Sequence, residues 1–235
     1  MPRRLLLIST STVFGTQYLE HALPELRDFL GGTRRVLFIP YALKQRDAYA
    51  AKARAAFESI GYALDSIHEA ASPRAAVEGA EAIFCGGGNT FRLLATLQGL
   101  ELMTRIQRRA VQGMPYSGAS AGANLACPTL KTTNDMPIVQ PPSFEALGLV
   151  SFQINPHYVD PDPESRHMGE TRETRIKEFH EENDAPVVGL REGAMLRIEG
   201  DRVLLKGLAG ARIFRRGEEP AEARPGAFLE GLVGS

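Results

Sequence analysis

The 235 residues carry 27 Lys and Arg against 28 Asp and Glu, a formal net charge of −1, and 43% of them are hydrophobic. Such a balance gives no electrostatic footprint for nucleic acid or a membrane surface, and no run approaches the roughly 20 apolar residues of a membrane-spanning helix. Only two cysteines occur, Cys85 and Cys127, so there is no disulfide framework and no cysteine-based metal site; the expectation is a cytoplasmic, cofactor-free protein, one domain over residues 1–235, with small molecules or peptides as partners.

Arg3 and Arg4 precede an apolar run over residues 5–9, too short for a signal-peptide core and suited to a first buried strand. Residues 17–30 have helical spacing, with Leu19, Ala22, Leu23, Leu26, Phe29 and Leu30 recurring on one side and Pro24 marking a restart. A second strand over 36–40, an alanine-rich helix over 47–60, a weaker strand over 62–67 and a short helix capped by Ser72-Pro73 follow. Residues 82–85 form a fully apolar strand, then Gly86-Gly87-Gly88-Asn89-Thr90 and a helix through Phe91, Leu93, Leu94 and Leu97. Strands without polar alternation predict a mostly parallel, doubly wound α/β sheet covered on both faces, with sites beyond the carboxyl ends of its strands.

The chain is organised around Tyr116-Ser117-Gly118-Ala119-Ser120-Ala121-Gly122-Ala123-Asn124. An apolar lead-in at 114–116 and a helix-compatible stretch over 121–126 make Gly118-Ala119-Ser120-Ala121-Gly122 a G-x-S-x-G between strand and helix, the setting of a nucleophile elbow. So tight a turn requires minimal side chains two residues before and after the serine, and glycine stands at both places. Beyond it lies a proline-punctuated loop over 128–142, long enough to suggest function. A strand over 151–155 ends in Pro156-His157-Tyr158, and residues 169–182 read as an amphipathic helix. A strand over 186–190 stops at Arg191-Glu192-Gly193, and 194–199 and 202–206 flank the hairpin signal Gly200-Asp201. Antiparallel strands are therefore expected at the C-terminal edge of the sheet.

A serine nucleophile needs a base. His21 lies within a helix pattern, His68 follows a strand, His167 sits in a polar loop and His180 ends a helix among acids; His157 directly follows a buried strand, at the sheet edge where Ser120 belongs. For the acid that orients it, Glu192 and Asp135 compete: Glu192 follows a strand, Asp135 lies in the loop Thr132-Thr133-Asn134-Asp135-Met136-Pro137, and chain order does not choose between them. The triple glycine lets backbone approach a ligand, so the N–H of Gly87 or Gly88 is expected to join that of Ala121 in holding an oxyanion. A phosphate cradle is the rival, but neither G-x-G-x-x-G nor Gly-Lys-Ser/Thr is present.

Together these motifs resemble the peptidase E family, the α-aspartyl dipeptidases. The resemblance runs through Leu19-Glu20-His21-Ala22-Leu23-Pro24, Gly86-Gly87-Gly88-Asn89-Thr90-Phe91, Ser120-Ala121-Gly122-Ala123-Asn124-Leu125-Ala126-Cys127-Pro128-Thr129, Thr132 to Ile138, Ile154-Asn155-Pro156-His157 and Gly169-Glu170-Thr171-Arg172; it is less clear after Ala209. It implies a fold like the class I glutamine amidotransferases, a metal-free serine peptidase, and a preference for short peptides with N-terminal aspartate. The family's serine and histidine correspond to Ser120 and His157, and its acid has been assigned to the motifs of both Asp135 and Glu192. Ser117-Gly118-Ala119-Ser120 departs from the Gly-Trp-Ser form of some members, which changes the packing before the serine but not its chemistry.

An aspartyl substrate brings a side-chain carboxylate and an α-ammonium. Arg172 is expected to grip the carboxylate with paired N–H···O bonds, Glu170 to receive the ammonium, and Asn89 and Asn155 to hydrogen-bond the aspartyl group. The rival readings are a cyanophycinase-like hydrolase of β-aspartyl linkages and a non-catalytic flavodoxin-like binding module. The helices and edge strands leave room for a homodimer.

Overall fold

The computed structural model describes residues 2–164, 166 and 168–232; His167 lies outside the described residues. Five strands, β1 (Arg4–Ile8), β2 (Arg35–Ile39), β3 (Ala63–Ser66), β4 (Ala82–Cys85) and β5 (Tyr116–Ala119), lie parallel in the order β3-β2-β4-β5-β1. Continuous apolar strands suit this position because successive side chains enter opposite cores. Leu5 and Leu7 of β1 belong to one buried cluster and Leu6 and Ile8 to the other; Ile83 and Phe84 of β4 divide in the same way.

Helices α1 (Leu23–Leu30) and α2 (Arg46–Glu58) cover one face through Leu26, Phe29, Ala53 and Phe57. The other face is covered by α3 (Pro73–Gly79), α4 (Thr90–Gly99), α5 (Met103–Val111) and α6 (Ala121–Leu125). The expected helix over 17–30 divides into a 3-10 turn at Glu20–Ala22 and α1, with Pro24 at the start of α1, where its missing N–H costs nothing. Helix α5 was not foreseen: its sequence is largely polar, and only Ile106 and Ala110 are fully buried.

The C-terminal part contains more than edge strands. Beyond β6 (Gln153–Tyr158), α7 (Arg172–Glu182) and β7 (Val187–Arg191), strands β8 (Ala194–Glu199) and β9 (Arg202–Gly207) extend the main sheet antiparallel from β1, as the hairpin signal indicated. Strands β6 and β7 instead join β10 (Ala211–Phe214) and β11 (Ala221–Ala223) in a second sheet ordered β11-β10-β7-β6, with β6 and β7 parallel. The chain passes from the second sheet to the first through the two residues Glu192 and Gly193, the latter at φ +81°. No helix among the described residues is long and apolar enough to cross a membrane.

Candidate active site

Ser120 lies between β5 and α6 with φ 53° and ψ −109°, a conformation that non-glycine residues adopt rarely and that the surrounding packing imposes. A Cβ on Gly118 would lie 2.3 Å from Gly122 O, and one on Gly122 would lie 2.2 Å from Cys85 O. The two glycines are therefore required by contact with each other and with the end of β4. The turn leaves the Ala121 N–H, first in α6, without an intrahelical acceptor.

The triple glycine passes directly over this elbow. A Cβ on Gly87 would come within 3.1 Å of Ser120 Cβ. Tyr49 packs against the same turn: a Cβ on Gly86 would lie 2.5 Å from its hydroxyl oxygen. Gly88 follows at φ +130°.

Three side chains meet at this edge. Ser120 Oγ is 2.9 Å from His157 Nε2, and His157 Nδ1 is 2.8 Å from Glu192 Oε1. A neutral imidazole carries one N–H; placed on Nδ1 it donates to Glu192 and leaves Nε2 to accept the serine hydroxyl. The His157 and Glu192 side chains are 37% and 52% exposed, so water reaches the pair and moderates its charge.

His157 also has a positive φ, 52°, at an irregularity in the pairing of β6 with β7 between Pro156 and Tyr158. Its N–H donates to Ser9 Oγ at 2.9 Å, and Ser9 Oγ donates to Leu190 O at 2.7 Å. The Ser9 N–H in turn donates to Ala194 O, and the preceding Ile8 O accepts the Ser120 N–H. The end of β1 thus holds the backbone at Ser120, at His157 and on both sides of Glu192. Sequence reasoning assigned Ser9 only to a strand end; its polarity after four apolar residues, Leu5 to Ile8, was the available signal.

Asp135 does not reach His157 as the alternative acid. Its Oδ2 accepts the Thr90 N–H at 2.7 Å and the Thr90 hydroxyl, holding the N-terminus of α4, where a carboxylate is favoured by the free N–H groups. Asn89 caps the same helix, accepting the Arg92 N–H at 3.0 Å and donating to Met136 O at 2.9 Å. Both side chains are thereby engaged at the rim.

A cavity of about 580 Å³ opens at Ser120, His157, Gly87 and Gly88, with Asp135 at its edge. A neighbouring one of about 560 Å³ contains Asn155, Glu170 and Arg175. Asn155 Nδ2 is tied to Thr132 O and Asn134 Oδ1, while its buried Oδ1 has no partner. Glu170 faces Arg175 at 3.4 Å. Arg172 begins α7 after the N-cap Thr171 and lines neither cavity. Burial first, and the Arg175 guanidinium second, lower its pKa from the ordinary arginine value. Among the described residues, no group of histidines, cysteines and carboxylates forms a metal site.

The sequence profile of Peptidase family S51 matches residues 5–206. The chain belongs to that family. It is a serine-type peptidase, and it is similar to a Streptomyces coelicolor protein named Peptidase E, 54% identical over 97% of this chain and 94% of that one. A Drosophila melanogaster protein named Probable alpha-aspartyl dipeptidase is 45% identical over 98% of both chains. The fold is shared with a peptidase from an acI-B1 actinobacterium, at TM-score 0.71 and 19% identity over 97% of each chain. It is shared too with a putative Peptidase E from Listeria monocytogenes, at TM-score 0.67 and 24% identity over 89% of this chain and all of that one.

Proposed function

We propose that this S51 peptidase hydrolyses dipeptides and other short peptides after an N-terminal aspartate, with Ser120 as nucleophile, His157 as base and Glu192 as the acid that orients it. The observation that carries the reading is the continuous hydrogen-bonded chain Ser120–His157–Glu192 at the sheet edge. His157 Nε2 takes the Ser120 hydroxyl proton as Oγ bonds to the aspartyl carbonyl carbon, and the Gly88 and Ala121 N–H groups receive the oxyanion. Collapse breaks the C–N bond while His157 passes its proton to the leaving amine. Water, deprotonated by His157, then attacks the ester; release of aspartate returns the proton to Ser120.

Arg172, a cation with no carboxylate partner among the described residues, is proposed to read the aspartyl side chain. Glu170 and the unpartnered Asn155 Oδ1 are suited to the α-ammonium, and Asn89 borders the aspartyl group. The free, buried Cys85 and Cys127 fit a cytoplasmic compartment and residues 1–235 acting as one catalytic unit without a cofactor.

The test is hydrolysis of Asp-Leu, Asn-Leu and the β-linked isomer of Asp-Leu, with Ser120→Ala alongside. Cleavage of α-linked Asp-Leu alone is expected, reduced about 10⁴-fold or more in the variant. Preferential cleavage of the β-linked isomer would replace the α-aspartyl reading, and near-normal turnover by Ser120→Ala would remove the serine mechanism.

A further inference from the structure

The cavity that opens at Ser120 has a second wall that the proposed chemistry does not use. It is formed by the first turns of α2, where Gln45, Ala48, Tyr49 and Lys52 recur at helical spacing, and by Tyr18 opposite them. Tyr49 packs against Gly86 and the next residue, Gly87, packs against Ser120, so this wall is held close to the nucleophile. Among the described residues, Lys52 is the only Lys or Arg lining the cavity. Its Nζ lies 4.9 Å from the centroid of the Tyr18 ring, and no carboxylate pairs with it among the described residues. Asp135, the acidic group in the same cavity, is engaged by Thr90.

An unpaired cation facing a peptidase nucleophile invites a substrate carboxylate, and a dipeptide with N-terminal aspartate has two. The side-chain carboxylate belongs to the acyl half, for which Arg172 is the proposed reader, with Glu170 and Asn155 in the neighbouring cavity. The other is the α-carboxylate of the leaving amino acid, one residue beyond the scissile bond. We infer that Lys52 binds this α-carboxylate and thereby makes the enzyme prefer dipeptides over longer or C-terminally blocked substrates. An ammonium group on a flexible stem, steadied against an aromatic ring, suits a carboxylate that must leave after each turnover. A longer peptide would place a neutral amide there, and the charge-assisted bond would be lost.

This inference rests on the peptidase reading above, and the experiment separates the two. The ratio of kcat/KM for Asp-Leu to that for Asp-Leu-amide is measured in the wild-type protein, Lys52→Met and Lys52→Arg. The wild type is expected to prefer the free acid about tenfold, the usual scale of one hydrogen-bonded charge contact. Lys52→Met should remove that preference by losing activity on Asp-Leu while staying within about twofold on the amide, and Lys52→Arg should keep most of it. Added salt should weaken the wild-type preference, because the contact is open to solvent. Equal loss on both substrates would assign Lys52 to the aspartyl side chain or to packing, and an unchanged ratio would remove it from recognition; either overturns the inference. If the wild type cleaves neither substrate, the peptidase reading itself fails.

Discussion

At the residue scale, the geometry at His157 depends on one buried hydroxyl from another sheet. Pro156 donates no backbone hydrogen bond and His157 is turned to positive φ, so the ladder between β6 and β7 cannot continue in register. Ser9 Oγ fills the gap by accepting from His157 and donating to Leu190. Replacing it with alanine leaves one buried donor and one acceptor unpaired, at a cost of about 1–3 kcal/mol each, and frees the histidine to drift from Ser120. Ser9→Ala should therefore lower kcat roughly 10–100-fold with a smaller change in KM, since displacements near 1 Å are costly in the reacting geometry. Counting active serines with a fluorophosphonate separates this from partial unfolding: unchanged kcat per labelled serine would reduce Ser9 to a stability role. The same scale explains why sequence left Asp135 and Glu192 open. Both follow motifs compatible with a triad acid, and the difference is that Thr90 occupies one carboxylate while the other ends a strand beside His157.

At the scale of elements, the elbow is fixed by what surrounds it. Gly118 and Gly122 face each other across the turn, and Gly122 abuts the carbonyl of Cys85 on β4. Gly122→Ala forces a methyl into backbone, which side-chain rotation does not relieve, so the loss should be about 3 kcal/mol or more. Urea unfolding measures it, and a loss below about 1 kcal/mol would show that α6 shifts freely over the sheet. The elements that sequence located best are those with a strong period, the apolar β1 and β4 and the hairpin β8–β9. Helix α5 escaped because its buried stripe is narrow. Strand β11, Ala-Glu-Ala, has little strand preference of its own and exists through its pairing with β10.

At the scale of the whole molecule, two cores on either side of the main sheet bury groups whose ionisation would oppose folding. Burial pushes the Cys85 and Cys127 thiols up from 9.0 to about 12 and the Tyr49 hydroxyl from 10.0 to about 12. In this range the folded chain holds protons that the unfolded chain has released, so the unfolded state binds fewer protons and stability falls as pH rises. Urea midpoints are expected to hold near pH 8 and to decline progressively between about pH 9 and 12. Native protein at pH 8 should also resist alkylation of both thiols, because almost none of the thiolate form is present. Rapid labelling of either cysteine without unfolding would contradict that burial.

The sequence by itself determined the parallel α/β core and the tight turn that carries Ser120, because local patterns encode them. Continuous apolar runs specify buried strands, and a strand-to-helix turn this tight admits only glycine two residues either side of its serine. What only the tertiary structure decided is which distant groups meet. The second sheet, the passage through Glu192 back to β8, the hold of Ser9 on His157 and the placing of Lys52 opposite Ser120 all join segments far apart in the chain. Such contacts are set by how the sheets and helices pack, and no local spacing records them.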